Sequence, residues 1–218
     1  MKKLRISPLL IDIVQSGLLV CEGTIFDSRD ACPVCGGTLS GYDTKKKQFA
    51  VILEKEKRHP VNVFVKRFTC RKCQAICFAD EPYYPDTRFG SPLVDLSIKL
   101  TSGMPFYRAM AFMTQLGIDI DRGTIRNYAK RQFLKIPTTN LFGILLPFSI
   151  ISLSELAARS GEGGRIEGAE VLAACGFPSA YRAATDRLFL KKEGNEREKE
   201  EDKEKRQAHH PENDRNSQ

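Results

Sequence analysis

The chain has 218 residues, which is enough for one or two ordinary domains. With 41% hydrophobic and 28% charged residues, its composition excludes a collagen-like, a coiled-coil and a wholly disordered protein. The net charge of +7 is concentrated in residues 45–72, which hold ten basic side chains and only two acidic ones. Such a local excess favours a polyanionic partner, nucleic acid or an anionic membrane, although a solvated basic loop has the same composition.

The seven cysteines favour metal binding over disulfides. Residues 2–21 begin with basic side chains, but Asp12 and Gln15 interrupt the apolar stretch and no small-residue cleavage site follows. We therefore expect no signal peptide and a cytoplasmic protein. In that reducing compartment, paired cysteines bind metals more often than they form disulfides.

The first two segments of the chain differ in their periodicity. In residues 1–30, Ser7 and Pro8 are typical of a helix start and are followed by apolar runs, which predicts a short helical segment. In residues 31–84, Val61, Val63 and Val65 alternate with other side chains, which predicts β-strands.

Residues 88–135 have the pattern of three helices. The first begins at the Gly-Ser-Pro sequence around Ser91, the second ends at Gly117, and the third begins near Asp121 or Thr124. The inner face of the third helix is predicted to carry Ile125, Tyr128, Ala129 and Phe133, and its outer face Arg122, Arg126, Asn127, Lys130 and Arg131.

The remaining chain gives weaker signals. Residues 136–190 are predicted to be helical, with a capping box from Ser152 to Glu155 that starts a helix at Leu153. The uncharged stretch 136–154 contains too many polar, glycine and proline residues for a membrane span, so a membrane partner is not expected. Residues 191–218 carry eight basic and nine acidic side chains without any large apolar one, which predicts a disordered tail.

Two C-x-x-C pairs are the most specific chemical signal. Cys32 and Cys35 form the first pair, and Cys70 and Cys73 form the second, with 34 residues between Cys35 and Cys70. Four thiolates can close a tetrahedral zinc site with no open position, so we expect a structural Zn²⁺ without a catalytic role. The spacing exceeds the usual 15 to 20 residues, but loop-closure entropy rises only slowly with length. A redox pair, buried thiols, or Cys77 in place of Cys73 are the alternatives.

The three predicted helices suggest a second function, DNA binding. The short turn from Gly117 and the cations of the third helix suit a helix in the major groove, where Arg can bind guanine and Asn can bind adenine. The predicted contacts are Arg122, Thr124, Arg126, Asn127, Lys130 and Arg131, with Lys45, Lys46 and Lys47 binding phosphates. The alternative is an ordinary amphipathic helix with a basic face.

Residues 32–131 resemble the N-terminal region of insertion-sequence transposases from bacteria and archaea. The similarity lies in the two cysteine pairs, in the Tyr-Pro-Asp-Thr-Arg-Phe-Gly-Ser-Pro sequence that ends at Pro92, and in the Gly-Ile-Asp-Ile-Asp-Arg-Gly-Thr-Ile-Arg sequence that ends at Arg126. The resemblance implies a zinc ribbon followed by a helix-turn-helix that binds the ends of a mobile element. It assigns metal binding to the four cysteines and DNA binding to the helix from Thr124 to Arg131.

The catalytic domain of such transposases has no counterpart in the sequence. Two-metal phosphoryl transfer needs a carboxylate cluster, whereas residues 136–190 contain only five acidic side chains without strand patterning around them. These acidic residues are Glu155, Glu162, Glu167, Glu170 and Asp186. The histidines His59, His209 and His210 give no acid–base pattern either.

The sequence therefore predicts an α+β protein with a zinc-ribbon β module, an all-α helix-turn-helix region and a disordered charged tail. The predicted segments are residues 1–30, 31–84, 88–135, 136–190 and 191–218. We expect a zinc-dependent, non-catalytic protein that binds double-stranded DNA in the nucleoid, as a monomer or homodimer, without a small-molecule substrate. A transposase or nuclease subunit whose carboxylates lie in a partner chain, and a zinc-ribbon scaffold for protein binding, remain as alternatives.

Overall fold

The computed structural model describes residues 6–55, 57–131, 136–161 and 166–176. Within them the protein is α+β, with six helices and two β-sheets, as the sequence predicts at this level. Phe133, the predicted helical stretch 178–190 and the predicted charged tail lie outside the described residues. In the part of the chain that is described, no helix combines the length and apolar character needed to cross a membrane.

Groups of helices and groups of strands follow one another along the chain. Their bounds, in chain order, are α1 (Pro8–Leu19), β1 (Ile25–Phe26), β2 (Leu39–Glu54), β3 (Lys57–Cys70), β4 (Ile76–Phe78), α2 (Ser91–Gly103), α3 (Phe106–Gln115), α4 (Arg122–Ala129), β5 (Thr138–Leu141), β6 (Ile144–Pro147), α5 (Phe148–Ser160) and α6 (Gly168–Ala174). The predicted N-terminal helix and the three helices of 88–135 are thus confirmed, each within a few residues.

A long antiparallel hairpin, β2 and β3, dominates the larger sheet. Its ladder starts with Leu39 opposite Cys70 and ends with Glu54 opposite Lys57. The short strands β1 and β4 both pair with β3, β1 in parallel and β4 antiparallel. Because β1 and β4 share one edge of β3, strand β2 forms the opposite edge of the sheet.

The predicted alternation in β3 is confirmed by burial. Val61, Val63 and Val65 are fully buried, whereas the side chains between them are half-buried or exposed. The pairing also divides the lysine triplet of β2. Lys45 is opposite Val65 and Lys47 is opposite Val63, so both lie on the face of the buried valines, and Lys46 lies on the other face.

Residues 136–161 differ from the predicted helical region in that they begin with two strands. Strands β5 and β6 form a hairpin around Phe142 and Gly143, whose φ angles of 53° and 79° are those of a tight hairpin turn. Helix α5 then begins at Phe148 instead of Leu153, because Pro147 ends the hairpin and serves as its N-cap. The predicted capping box at Ser152 is therefore wrong: Ser152 and Glu155 lie inside α5.

Helices α1 and α5 pack closely at Gly17. A Cβ atom on Gly17 would lie 2.9 Å from the Ile150 carbonyl oxygen and 3.1 Å from the Ser154 nitrogen. The missing side chain therefore lets the two helix backbones approach each other. This contact joins the N-terminal segment to the last third of the described chain.

One cluster of buried side chains draws on every described segment. It includes Leu10 of α1, Phe49 of β2, Leu93 of α2 and Ile150 of α5. The helices and the hairpin also share backbone hydrogen bonds: Leu53 N–H donates to the Gly117 carbonyl at 2.7 Å. The division into separate domains stays a prediction, but the hairpin and the three helices pack as neighbours.

Candidate metal centre and nucleic-acid interface

The hairpin brings the two cysteine pairs together. Cys32 and Cys35 lie in the turn before β2, and Cys70 and Cys73 lie in the turn where β3 ends. Since Leu39 is opposite Cys70, the two turns meet at the same end of the sheet. The long spacing between the pairs is thus occupied by an ordered ladder, which explains why it exceeds that of a simple loop.

The four sulfur atoms have the separations of a tetrahedral thiolate site. The Cys32 and Cys73 sulfurs are 3.6 Å apart, those of Cys35 and Cys70 are 3.5 Å apart, and all four lie within 4.8 Å of one another. A zinc–sulfur bond of 2.3 Å in a tetrahedron requires sulfur–sulfur distances of about 3.8 Å. The distances are too long for disulfides and suit one metal ion.

Backbone N–H groups favour the thiolate form at two of the ligands. The Lys72 N–H donates to the Cys70 sulfur at 3.4 Å. Together with the N–H of Cys73, which has the larger effect, it lowers the pKa of Cys70 to about 6. Burial alone would raise the pKa of Cys32, but the N–H groups of Val34 and Cys35 and the Cys73 side chain together lower it.

At Cys73 the neighbouring thiols have the opposite effect and disfavour the thiolate. The Ala75 N–H favours its thiolate, but the Cys35 side chain, burial and the Cys32 side chain together raise the pKa of Cys73 to about 12. A bound divalent cation supplies the opposite charge that the thiolates need. The donor set therefore fits a thiophilic metal such as Zn²⁺.

Gly37 is a feature of the site that the sequence analysis missed. A Cβ atom there would lie 3.1 Å from the Cys70 sulfur and 3.3 Å from the Cys35 sulfur. The Gly36–Gly37 pair directly after Cys35 was the available signal, because a chain that returns over bulky sulfurs needs a residue without a side chain.

The three other cysteines lie outside the cluster. Cys77 is buried in β4 and does not belong to the group of four neighbouring sulfurs, so it does not replace Cys73. Burial is the main cause of its raised pKa. Cys21 and Cys175 are buried in the core, where burial raises the pKa of Cys21 and brings that of Cys175 to about 12. Among the described residues, the four predicted cysteines are the one group of His, Cys, Asp and Glu side chains close enough to share a metal ion.

Helix α4 presents most of the predicted DNA-binding side chains to solvent. Ile125 and Tyr128 are buried, so the opposite face is exposed. That face carries Arg122, Arg126, Asn127 and Lys130. The three cations follow at intervals of four residues and therefore form one row along the helix.

Thr124 has another role in the structure. Asp121 is the N-cap of α4, and its carboxylate accepts hydrogen bonds from the Thr124 N–H at 2.8 Å and from the Thr124 hydroxyl. The hydroxyl contact, followed by the N–H contact, lowers the pKa of Asp121. Thr124 thus stabilises the start of the helix.

Arg131 is also held within the protein. Its guanidinium donates to the carbonyl oxygens of Pro85 and Asp86, the latter at 2.9 Å. The Tyr128 hydroxyl accepts from the Phe89 N–H at 3.3 Å. These contacts fasten the segment before α2 against α4, and they occupy the guanidinium that the sequence assigned to DNA.

The lysine triplet has two roles. Lys45 and Lys46 are exposed. The Lys47 ammonium donates to both carboxylate oxygens of Glu81 at 2.7 Å and lies 4.1 Å from the centre of the Phe78 ring. Glu81 is only 3% exposed, so this pair is part of the fold. Sequence patterning places Lys47 in a basic run but cannot identify a partner 34 residues away.

Neither models of known protein families, nor curated protein sequences, nor solved structures give a match to this chain.

Proposed function

We propose that the chain is a zinc-dependent, non-catalytic DNA-binding protein, related to the DNA-recognition half of a transposase. The observation that carries the proposal is the exposed row of cations on α4, on a helix whose preceding turn is hydrogen-bonded to a hairpin that ends in four clustered thiols. In this proposal residues 31–84 act as a zinc ribbon and α2, α3 and α4 as a helix-turn-helix unit.

Zinc would have a structural role at the cysteine cluster. Cys32, Cys35, Cys70 and Cys73 would hold it with all four tetrahedral positions filled by sulfur, which leaves no position for water or substrate. The ion neutralises thiolate charge and locks the two turns to each other. The end of the hairpin, which has few large buried side chains, is then held by the metal.

Helix α4 would lie in the major groove of double-stranded DNA. Arg126 can donate two hydrogen bonds to a guanine, and Asn127 can pair with an adenine edge. Arg122 and Lys130, one turn to either side of Arg126, are placed for phosphates. Lys45 and Lys46 on β2 would add phosphate contacts that do not depend on sequence.

Selection of bound duplexes from a random DNA pool, followed by titration at several salt concentrations, tests the proposal. Arg126→Ala or Asn127→Ala should cost about 1 to 3 kcal/mol on the selected duplex and far less on random DNA, because base contacts are lost. Arg159→Ala, which removes an exposed cation from α5, is the matched control and should leave the preference unchanged.

Three outcomes would contradict this function. Equal losses of affinity for every DNA sequence would mean that α4 is only a basic surface and does not recognise bases. Tighter binding to single-stranded or structured RNA would change the class of partner. Metal-dependent nicking by the purified chain that disappears on mutation of Glu167 would support a nuclease instead.

A further inference from the structure

We propose that the chain contacts its DNA asymmetrically, with Arg71 and Lys72 at the cysteine end of the hairpin binding phosphates beyond the C-terminal end of α4. This inference rests on the proposed DNA-binding function. It adds two residues and a direction to it.

The direction follows from the contacts between β2 and the two ends of α4. Before the helix, the Gly117 carbonyl accepts from Leu53 N–H at 2.7 Å, and Asp119 N–H donates to the Val51 carbonyl at 2.9 Å. Helix α4 therefore begins beside the part of β2 that is nearest the hairpin tip.

The C-terminal end of α4 lies further back along β2. Tyr128 accepts a hydrogen bond from Phe89 N–H, and the next residue, Gly90, donates its N–H to the Phe49 carbonyl at 2.9 Å. Arg88 donates to the Gln48 side chain at 2.9 Å. The helix therefore runs beside β2 in the opposite direction, and the cysteine end projects past its C-terminus.

The hairpin extends far enough to reach a separate part of the duplex. Because β2 has a bulge between Gly41 and Asp43, the pairs Leu39–Cys70 and Gln48–Asn62 are only eight residues apart on β3. At about 3.3 Å per residue, this part of the hairpin spans roughly 26 Å. The cysteine end therefore lies well beyond the C-terminal end of α4, on the flank of the duplex toward which that end of the helix points.

The two ends of the hairpin differ in their free charge. At the tip, Arg58 forms an ion pair with Asp119, and Lys57 is opposite Glu54 in the ladder. At the cysteine end, Arg71 and Lys72 are exposed, and no ion pair of either is found within the described residues. Positive charge is therefore available at the cysteine end, whereas acidic side chains partly offset it at the tip.

The cysteine cluster also fixes where these two cations lie. Both residues stand between the ligands Cys70 and Cys73. The Arg71 N–H donates to the Thr38 carbonyl at 3.0 Å, and the Lys72 N–H donates to the Cys70 sulfur. A metal that locks this turn holds Arg71 and Lys72 in place relative to α4.

The experiment uses the full chain and a duplex selected from a random pool, in a long form and in a form truncated on one flank. Arg71→Ala combined with Lys72→Ala should weaken binding to the long duplex and lower its salt slope by about 1.8, the value for two lost phosphate contacts. The same variant should bind the truncated duplex like the unmodified chain. Lys55→Ala combined with Lys57→Ala, at the tip, is the matched control and should leave both affinities unchanged.

A photo-crosslinking residue gives an independent measurement. Placed at the exposed Gln74, it should react with the flank of the duplex toward the C-terminal end of α4, outside the bases that Asn127 reads, and placed at Lys57 it should not react there. Crosslinks from Gln74 among those bases, no crosslinks from Gln74, or equal losses on both duplexes would overturn the asymmetric contact. Loss of sequence preference in Asn127→Ala would still support the proposed function, so the two claims can fail separately.

Discussion

The cysteine cluster and helix α4 are both candidate sites, but they depend on the sequence in different ways. The cluster lies within one chain, and its four sulfur atoms are close enough to one another to share a metal ion. The exposed face of α4 is a site only if the proposed DNA binds it, and two of its predicted contacts, Thr124 and Arg131, are instead used inside the protein. Ligand spacing thus identifies a candidate metal site directly, whereas a charged surface also requires knowledge of which of its charges already have partners within the protein.

The largest expected effect is at the cluster. Cys70→Ser should release the metal and unfold the end of the hairpin, since structural zinc contributes on the order of 10 kcal/mol. Metal analysis together with thermal unfolding measures this, and Cys77→Ala, outside the cluster, is the matched control that should keep the metal. Unchanged folding of the unmodified chain in a strong chelator would contradict a structural role.

The next effect concerns Gly90, which contacts Phe49 where the segment before α2 meets the hairpin. A Cβ atom on Gly90 would lie 2.2 Å from the Phe49 ring, so Gly90→Ala should destabilise the protein by about 1 to 3 kcal/mol. Gly103→Ala has open space around the new methyl group and should change little. Urea unfolding compares the two variants. Equal stability would mean that the segment before α2 is not packed against the hairpin.

A third prediction separates Lys47 from its neighbour Lys46. Lys47→Ala leaves the buried Glu81 without its partner and should cost about 2 to 3 kcal/mol at neutral pH. Lys46→Ala should stay within about 0.5 kcal/mol and reduce only DNA affinity. Urea unfolding and salt-series titration of both variants check this; equal stability losses would contradict separate roles.

The pH dependence of Lys47→Ala follows from Glu81. Burial raises the pKa of Glu81 despite the opposing effect of Lys47. The folded state therefore binds the proton more tightly than the unfolded state, and stability from this group falls as pH rises from the ordinary glutamate pKa to the raised one. Without Lys47 that loss extends to higher pH. The difference between Lys47→Ala and the unmodified chain should shrink as the pH falls through the raised pKa of Glu81, because below it Glu81 is protonated in both folded proteins and no longer needs the Lys47 charge.

Local patterns predicted much of the structure. The periodicity of apolar residues predicts which side chains are buried, and the spacing of the cysteines predicts which sulfur atoms lie together. The valines of β3 and the buried face of α4 are of this kind, as is the cysteine cluster. The pairing of Lys47 with Glu81 could not be predicted, because it depends on the register of the hairpin and on the path of residues 79–90. The β5–β6 hairpin was missed because its turn, Phe142–Gly143, differs from the usual Asn-Gly or Asp-Gly sequences.

The position of β2 at the edge of the sheet gives Lys45 and Lys46 a second importance. Gly90 and the turn from Gly117 cover this edge only from Phe49 onward, and residues 41–46 are exposed. An exposed edge strand can add a strand from another molecule and start aggregation, and lysines on such an edge oppose this by mutual repulsion. Neutral substitutions of Lys45 and Lys46 would therefore remove the proposed phosphate contacts. They would also remove the positive charges that oppose self-association of the free protein.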